Sequence, residues 1–317
     1  MASSSAAPRR RLLVIVNPYA TSVDRRLREL VIAALQSRYE VRAADTNAPG
    51  HARELAAEAI GSGVDAVATL GGDGTLNEAA EALVGTGVPL YPLPGGSQNV
   101  FAKLLGLPAE IVDSTARLLE FADNWETHQV DLGRANGRAF TFAAGVGLDA
   151  SVVEQVDANP SMKARMRQWY YAQRGVTTYI RDYLLRRDQL SARSGSEAIR
   201  GDTVLVQNGP DFTYAGDKPI SLCSGVTLDC GTMSAAVLHL RSPLRAALTA
   251  VRLLTTSGAP TTRAITTMSG MTGLEVIADG GQQLPLQVDG DFAGLHSEVR
   301  FTLEPAALTV LAPKRQG

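Results

Sequence analysis

The sequence predicts an N-terminal three-layer α/β domain, a parallel sheet between helices, followed by a β-sandwich-like C-terminal domain. Three observations predict it. Up to about residue 128, apolar runs rich in β-branched residues alternate with segments of helical periodicity. Two of these runs end in glycine turns, Gly71-Gly72-Asp73-Gly74-Thr75 and Pro94-Gly95-Gly96-Ser97-Gln98-Asn99, each followed at once by a helical pattern. Beyond residue 128 the alternation stops, and strand patterns separated by turn residues take over. The expected domains are 1–128 and 129–317, with the last segment able to pack back on the first domain. Function belongs in the cleft between them.

Taken in order, Leu12 to Val16 is a continuous apolar run closed by Asn17-Pro18, which reads as a buried parallel strand and a turn. Val23, Leu27, Leu30, Val31, Ala34 and Leu35 mark the first helix, and Glu40 to Ala44 a short second strand ending near Asp45-Thr46. The next helix, about 49–60, carries Ala52, Leu55, Ala56, Ala59 and Ile60 on one face and stops at Gly61. Val64 to Leu70 is the central strand. After its glycine turn Leu76, Ala79, Ala80, Leu83 and Val84 recur with helical spacing. Val88 to Leu93 is a further strand, and the helix through Phe101 and Leu105 ends at Gly106. In such a sheet ligands bind at the carboxyl ends of the strands, where both glycine turns lie.

In the second domain Val130–Ala135, Asn136-Gly137 and Arg138–Ala143 give a strong hairpin signal. Strands follow at Asp202–Gln207, Met233–Leu240, Leu274–Ala278, Leu284–Val288 and Glu298–Leu303. A helix is expected from Pro243, with Ser242 as N-cap and Leu244, Ala247, Leu248 and Val251 facing inward.

Composition sets the outer bounds. With 317 residues, 45 % hydrophobic and 20 % charged, the chain has apolar material for two cores. A net charge of -2 argues against a general nucleic-acid binder. Cys223 and Cys230 have no metal-site spacing and suit a reducing, cytoplasmic compartment. The first ten residues lack an apolar signal core, and no run reaches the ~20 apolar residues of a membrane span. Peripheral membrane association and a homodimer remain open.

The first glycine turn suggests chemistry. Three glycines in four positions let the main chain approach a bulky ligand, and a helix start offers N–H groups to an anion. Asp73 would repel a phosphate directly, so its use would be through a metal ion or a water.

The string GGDGT followed by LNE resembles the nucleotide-binding signature of the diacylglycerol kinase and sphingosine kinase family, distantly related in fold to NAD kinases and phosphofructokinases. The resemblance extends over nearly the whole chain. Asn17-Pro18 is similar to the family's first-strand NP, and Thr46 to its threonine after strand two, which helps hold the nucleotide. Gly71, Gly72, Asp73, Gly74, Thr75, Leu76 and Asn77 correspond to the phosphate loop. Pro94 to Pro108 resembles the second loop, with Ser97 facing the nucleotide. Asp131 lies in a DLG segment leading into the second domain and is expected near substrate, although pairing with Arg134 or Arg138 is the alternative. Gly145 to Ala150 matches a G-x-G-x-D-A segment, and Asp289-Gly290-Asp291 the VDGE motif.

The resemblance implies a lipid kinase using ATP and Mg2+, acting on a lipid alcohol such as diacylglycerol or a sphingoid base at a membrane surface. Asp291 would be the general base that accepts the hydroxyl proton, and Asp73 would orient metal or water at the phosphates. An ordinary Asp-Gly turn is the competing reading of the Asp291 motif. Departures from the family pattern are as informative. Asp291 stands where glutamate is frequent, and Val100 where an acid is frequent. Leu228-Asp229-Cys230-Gly231 stands where two acids often build a structural magnesium site, so Asp229 is the remaining metal candidate and Cys230 is a poor ligand. A nucleotide- and lipid-binding regulator without catalysis is the alternative these departures support; an NAD kinase ranks lower. Between Ser161 and Asp188, basic and aromatic residues interleave at helical spacing, which fits packing or docking onto anionic headgroups.

Overall fold

The computed structural model describes residues 9–20, 23–147, 150, 190–240, 248–249, 251–253, 255 and 262–314. The chain divides into two compact units, Met1–Val130 with Ala307–Gly317, and Asp131–Ala306.

The first unit contains β1 (Arg11–Val16), α1 (Arg25–Gln36), β2 (Glu40–Asp45), α2 (His51–Gly61), β3 (Ala66–Gly71), α3 (Asp73–Leu83), β4 (Leu90–Pro94), α4 (Val100–Leu104) and α5 (Ile111–Phe121). All four strands run parallel in the order β2-β1-β3-β4. Every residue of β3 and β4 is buried, as strands covered on both faces require. The edge strand β2 instead carries Glu40, Arg42 and Asp45 in exposed positions. The order reverses direction after β2, so right-handed crossovers send α1 and α2 to opposite faces. The observed helix pairs, α1 with α5 and α2 with α3, agree with that rule. Pro92 and Pro94 lie inside β4, which propensity disfavours. They are tolerated because the ladder on β4's other side is the single pair Leu90–Val310, leaving both prolines past its end.

The basic run Arg9-Arg10-Arg11 is consumed locally. Arg9 donates to Gln36 O (2.9 Å), Arg10 to Ala122 O (2.9 Å) and Arg11 to Ser62 O (3.0 Å). Each acceptor lies at the C-terminal end of a different helix, α1, α5 and α2, where last-turn carbonyls lack partners and a cation is favoured.

The second unit holds the remaining strands. They are β5 (Thr127–Ala135, begun in the first unit), β6 (Arg138–Phe140), β7 (Ala143–Gly147), β8 (Leu190–Ser194), β9 (Glu197–Gly201) and β10 (Thr203–Gln207). Then come β11 (Thr213–Ala215), β12 (Lys218–Ile220), β13 (Met233–Leu238), β14 (Ile265–Met271), β15 (Gly273–Ala278), β16 (Leu284–Val288), β17 (Asp291–His296) and β18 (Glu298–Leu311). Antiparallel β14-β13-β10-β7-β16-β17 form one sheet, and β15 joins β18 and β8, with β9 outermost, in a second. One core fills the space with side chains from both, including Val146, Val206 and Val237 of the first and Val276 and Phe301 of the second. This is the expected sandwich. Gly133 faces Phe140 across the β5–β6 pair, and a Cβ there would stand 2.0 Å from the ring. Only glycine leaves room for that ring.

Two expectations change. The glycine turn after β3 is a single residue, Gly72, because α3 already begins at Asp73 and takes in Gly74 and Thr75. In the helical stretch around 248–255, Leu248 and Val251 are 53 % and 56 % exposed, while Thr249 is buried and Leu253 packs on the core. The i, i+4 pair 249 and 253 therefore defines the inward face. Asp149, the Ser161–Asp188 segment and Ser242 to Ala247 lie outside the described residues.

Candidate functional site

In the first unit the loops after β1 and β3 leave toward opposite faces of the sheet, which is the switch point where α/β sheets bind ligands. A side-chain hydrogen bond spans it: Asn17 Nδ2 donates to Thr75 Oγ1 (3.1 Å). Asn17 is held in turn by its own N–H on Leu70 O (2.9 Å), and its Oδ1 accepts from Tyr19 N–H (3.0 Å). Thr46, at the end of β2, donates its N–H to Val16 O (2.8 Å) and is half-buried. Asn17, Thr46, Gly71 and Thr75 are thus brought to the ends of three adjacent strands.

Close approach, and not left-handed backbone, requires glycine at positions 71, 95 and 96. Gly71 and Gly72 have ordinary φ values, Gly72 being extended at φ -92, ψ -177. A Cβ on Gly96 would sit 2.7 Å from Gly72 Cα, and one on Gly95 3.1 Å from Gly71 N. A Cβ on Gly71 would stand 2.9 Å from Thr75 Oγ1. The two glycine turns therefore pack main chain against main chain, joined by Gly95 N–H to Gly71 O (2.8 Å). Asn99, at φ 49, ties the second turn by accepting from Gly96 N–H and donating to Gly96 O, both at 3.0 Å. Ser97 is exposed at its tip. Between the turns, beside Asp73 and Leu76, a cavity of about 10 Å³ is available to water centres, which is room for one molecule.

Helix starts organise this end of the sheet. Gly50 and Asn99, the N-cap residues of α2 and α4, are both left-handed and cap nothing with a side chain. Carboxylates of α3 do it for them. Asp73 accepts from Val100 N–H (3.1 Å) and Phe101 N–H (3.3 Å), and Glu78 from Gly50 N–H (2.7 Å) and Ala52 N–H (3.2 Å). The start of α3 itself rests on Gly72, which has no side chain to cap with. Nothing in the sequence pattern paired Glu78 with the loop after β2.

The second unit carries a separate polar cluster. Asp289 and Gly290, at φ 47 and 86, form the two-residue turn between β16 and β17, so the Asp-Gly turn is real. Asp291 is the first residue of β17, half-exposed, and pairs in register with Val288. Asp289 is buried, and its carboxylate accepts from Thr141 N–H (2.7 Å), Thr141 Oγ1 (2.9 Å), Phe142 N–H (3.1 Å) and Ala143 N–H (3.0 Å). Burial holds its carboxyl above the ordinary range, with those donors working against the shift. Sequence reading named Asp289 in the motif and the turn but gave it no role of its own; its burial and four donors reveal one.

Asp131 is 2 % exposed, and its oxygens accept from Gly231 N–H (2.6 Å) and Ala306 N–H (2.8 Å). Arg134 pairs with Glu304 instead (3.1 Å). Asn208 ties the two segments together through main chain, its Nδ2 donating to the carbonyl oxygens of Asp131 (3.0 Å) and Thr141 (3.1 Å). Asp229 is exposed and accepts from Thr227 Oγ1 (2.9 Å), while the Cys230 thiol lies 3.2 Å from Thr232 O. Among the described residues no three His, Cys, Asp or Glu side chains converge. Asp131 clamps the 228–231 loop directly through the Gly231 N–H (2.6 Å).

The diacylglycerol kinase catalytic domain family matches residues 11–135. Over 277 residues the chain is 31 % identical to a diacylglycerol kinase of Mycobacterium tuberculosis, covering 83 % of this chain and 82 % of that one. The chain belongs to the diacylglycerol kinase family. A diacylglycerol kinase from Bacillus anthracis has the same fold, with TM-score 0.70 and 18 % identity over 96 % of this chain and 97 % of that one. An NAD kinase from Archaeoglobus fulgidus, in complex with ATP, shares the fold more distantly, with TM-score 0.51 and 14 % identity over 95 % and 93 %. Family membership makes this protein a kinase of the lipid kinase class. Among the described residues no helix is long and apolar enough to cross a membrane.

Proposed function

We propose that this diacylglycerol kinase family member transfers the γ-phosphate of ATP to the hydroxyl of a lipid alcohol presented at a membrane surface. The observation that carries this reading is the start of α3 at the switch point. The two neighbouring helices are capped by Asp73 and Glu78, while α3 begins on bare main chain between two closely packed glycine turns. Such a start suits a polyphosphate, because helix N–H groups and the helix dipole both favour an anion.

In this reading the main chain of Gly71, Gly72 and Gly74 receives the phosphates, with Leu76 and Asn77 completing the turn. Asn17, Thr46, Thr75 and Ser97 hold the nucleotide. Asp73, whose carboxylate is fixed by two N–H groups, orients a water. Were magnesium bound with ATP, Asp73 would hold it through water, and its charge would help neutralise the transferring phosphoryl group. The acceptor hydroxyl attacks the γ-phosphorus, the bond to ADP breaks, and Asp291 takes the hydroxyl proton, a contribution of about 10²–10⁴-fold. Asp289 suits that role less, since four donors already occupy its carboxylate. Asp131 supports the substrate side through the segments it joins.

The test is transfer from γ-labelled ATP to mixed micelles containing diacylglycerol, a sphingoid base or other lipid alcohols, alongside Asp291→Asn. Label in one lipid, lost with Asp291→Asn, is the expected result. ATP binding without any labelled lipid would replace this reading with a nucleotide-binding regulator.

A further inference from the structure

Glu78 sits five residues after Asp73 on α3 and belongs to neither glycine turn, yet both its oxygens are engaged. They accept from the N–H of Gly50, the N-cap of α2 (2.7 Å), and from that of Ala52 in its first turn (3.2 Å), while His51 N–H between them bonds to Ala48 O (3.2 Å). That helix starts from a left-handed glycine, φ 87, with no cap of its own, and it packs alongside α3. The segment just before it runs from Thr46 to Gly50. One end is fixed to the first strand by Thr46 N–H on Val16 O (2.8 Å), and the other end by Glu78. A five-residue loop held at both ends has little freedom.

We propose that Glu78 is a positioning residue for nucleotide binding: it locks the Thr46 loop to the helix that carries the phosphate turn. The two sides of the nucleotide site, Thr46 on one loop and Gly72 to Thr75 on another, then move as one piece. The inference rests on the ATP reading above and extends it to a residue that touches no nucleotide. The carboxylate is needed and not merely a polar group. Two N–H donors face it, and an amide in its place could accept from one and would present its own N–H to the other. The negative charge also favours the α2 N-terminus.

The experiment is a double-mutant cycle on ATP binding to the full chain, using Glu78→Gln, Thr46→Ala and the pair, with amide exchange at Gly50 and Ala52. Glu78→Gln should weaken ATP binding about tenfold, the effect of losing one charge-assisted hydrogen bond. It should speed exchange at both amides and leave kcat at saturating ATP within about threefold. With Thr46 already truncated, the same change should cost far less, because Glu78 acts through that loop. Additive effects, or a lowered Tm with unchanged ATP affinity, would overturn the role. Should the glutamine variant not fold, Glu78→Asp, which keeps the charge, closes the same cycle. A wild type that binds no ATP would overturn the nucleotide reading and this role together. Wild-type binding with additive variants would overturn the role of Glu78 alone.

Discussion

The carboxylate of Asp73 accepts hydrogen bonds from the N–H groups of Val100 (3.1 Å) and Phe101 (3.3 Å), so the acid of the first glycine turn caps the helix that follows the second. The consequence is mechanical. Whatever Asp73 contributes at a phosphate, it also fixes the Pro94–Asn99 turn against Gly72. Val100 takes part through its main chain, so its side chain is not needed for this contact.

Asp73→Asn should therefore show two effects at once. An amide satisfies only one of the two N–H groups, and loss of a cap costs about 1–2 kcal/mol of stability, read as a lowered midpoint in denaturant. Phosphoryl transfer should fall further than stability explains, by about 10²-fold, since a reacting group displaced by an ångström loses that much. Lowered stability with normal kcat would limit Asp73 to the cap.

The close approach of the glycine turns predicts an asymmetric pair of variants. Gly96→Ala places a methyl 2.7 Å from Gly72 Cα, a clash with main chain that no side-chain rotation relieves. It should destabilise the protein by about 1–3 kcal/mol. Gly72→Ala meets Gly96 Cα at 3.5 Å, an ordinary contact, so it should fold normally and show its effect in ATP affinity. Thermal unfolding with and without ATP separates the two.

Much of the first unit was legible because its signals are local. Buried β-branched runs and stop glycines placed β1, β3 and α2 within two residues of where they lie. The rest depends on distant partners. No periodicity could show that Asp73 and Glu78 cap other helices, or that Asp289 turns inward onto Thr141 while Asp291 two residues later does not. β14 escaped notice because its burial repeats every third residue, with Gly270 left-handed and a register shift against β13. β18 was read only to Leu303, since Pro305 breaks the pattern and Ala306 adopts φ 50 before the strand resumes.

The arginine run offers a control far from the chemistry. Arg10 donates to Ala122 O at the end of α5 and lies 4.3 Å from the centroid of the Trp125 ring. Arg10→Ala should cost about 1 kcal/mol, from the lost dipole interaction and cation–π contact, and leave ATP affinity unchanged. Urea denaturation beside an ATP titration gives both numbers.

The two thiols should differ in reactivity. Burial pushes Cys223 up to about 12, so it carries almost no thiolate at neutral pH. Cys230 is exposed; its partial burial raises its pKa, but hydrogen bonds with Thr232 and Thr227 outweigh this and bring it below the ordinary thiol value. Iodoacetamide should therefore label one site in the native protein, Cys230, with a rate that levels off below the pH expected of a free thiol. Cys223 should react only on unfolding. Peptide mass mapping at several pH values decides it, and early labelling at Cys223 would contradict the burial argument.

The most direct measurement is a crystal structure with a non-hydrolysable ATP analogue. The account predicts phosphate oxygens against the main-chain N–H groups of the first turn of α3, with Asp73 still bound to Val100 and Glu78 to Gly50. A nucleotide bound elsewhere, or phosphates held away from Gly72 to Thr75, would contradict it.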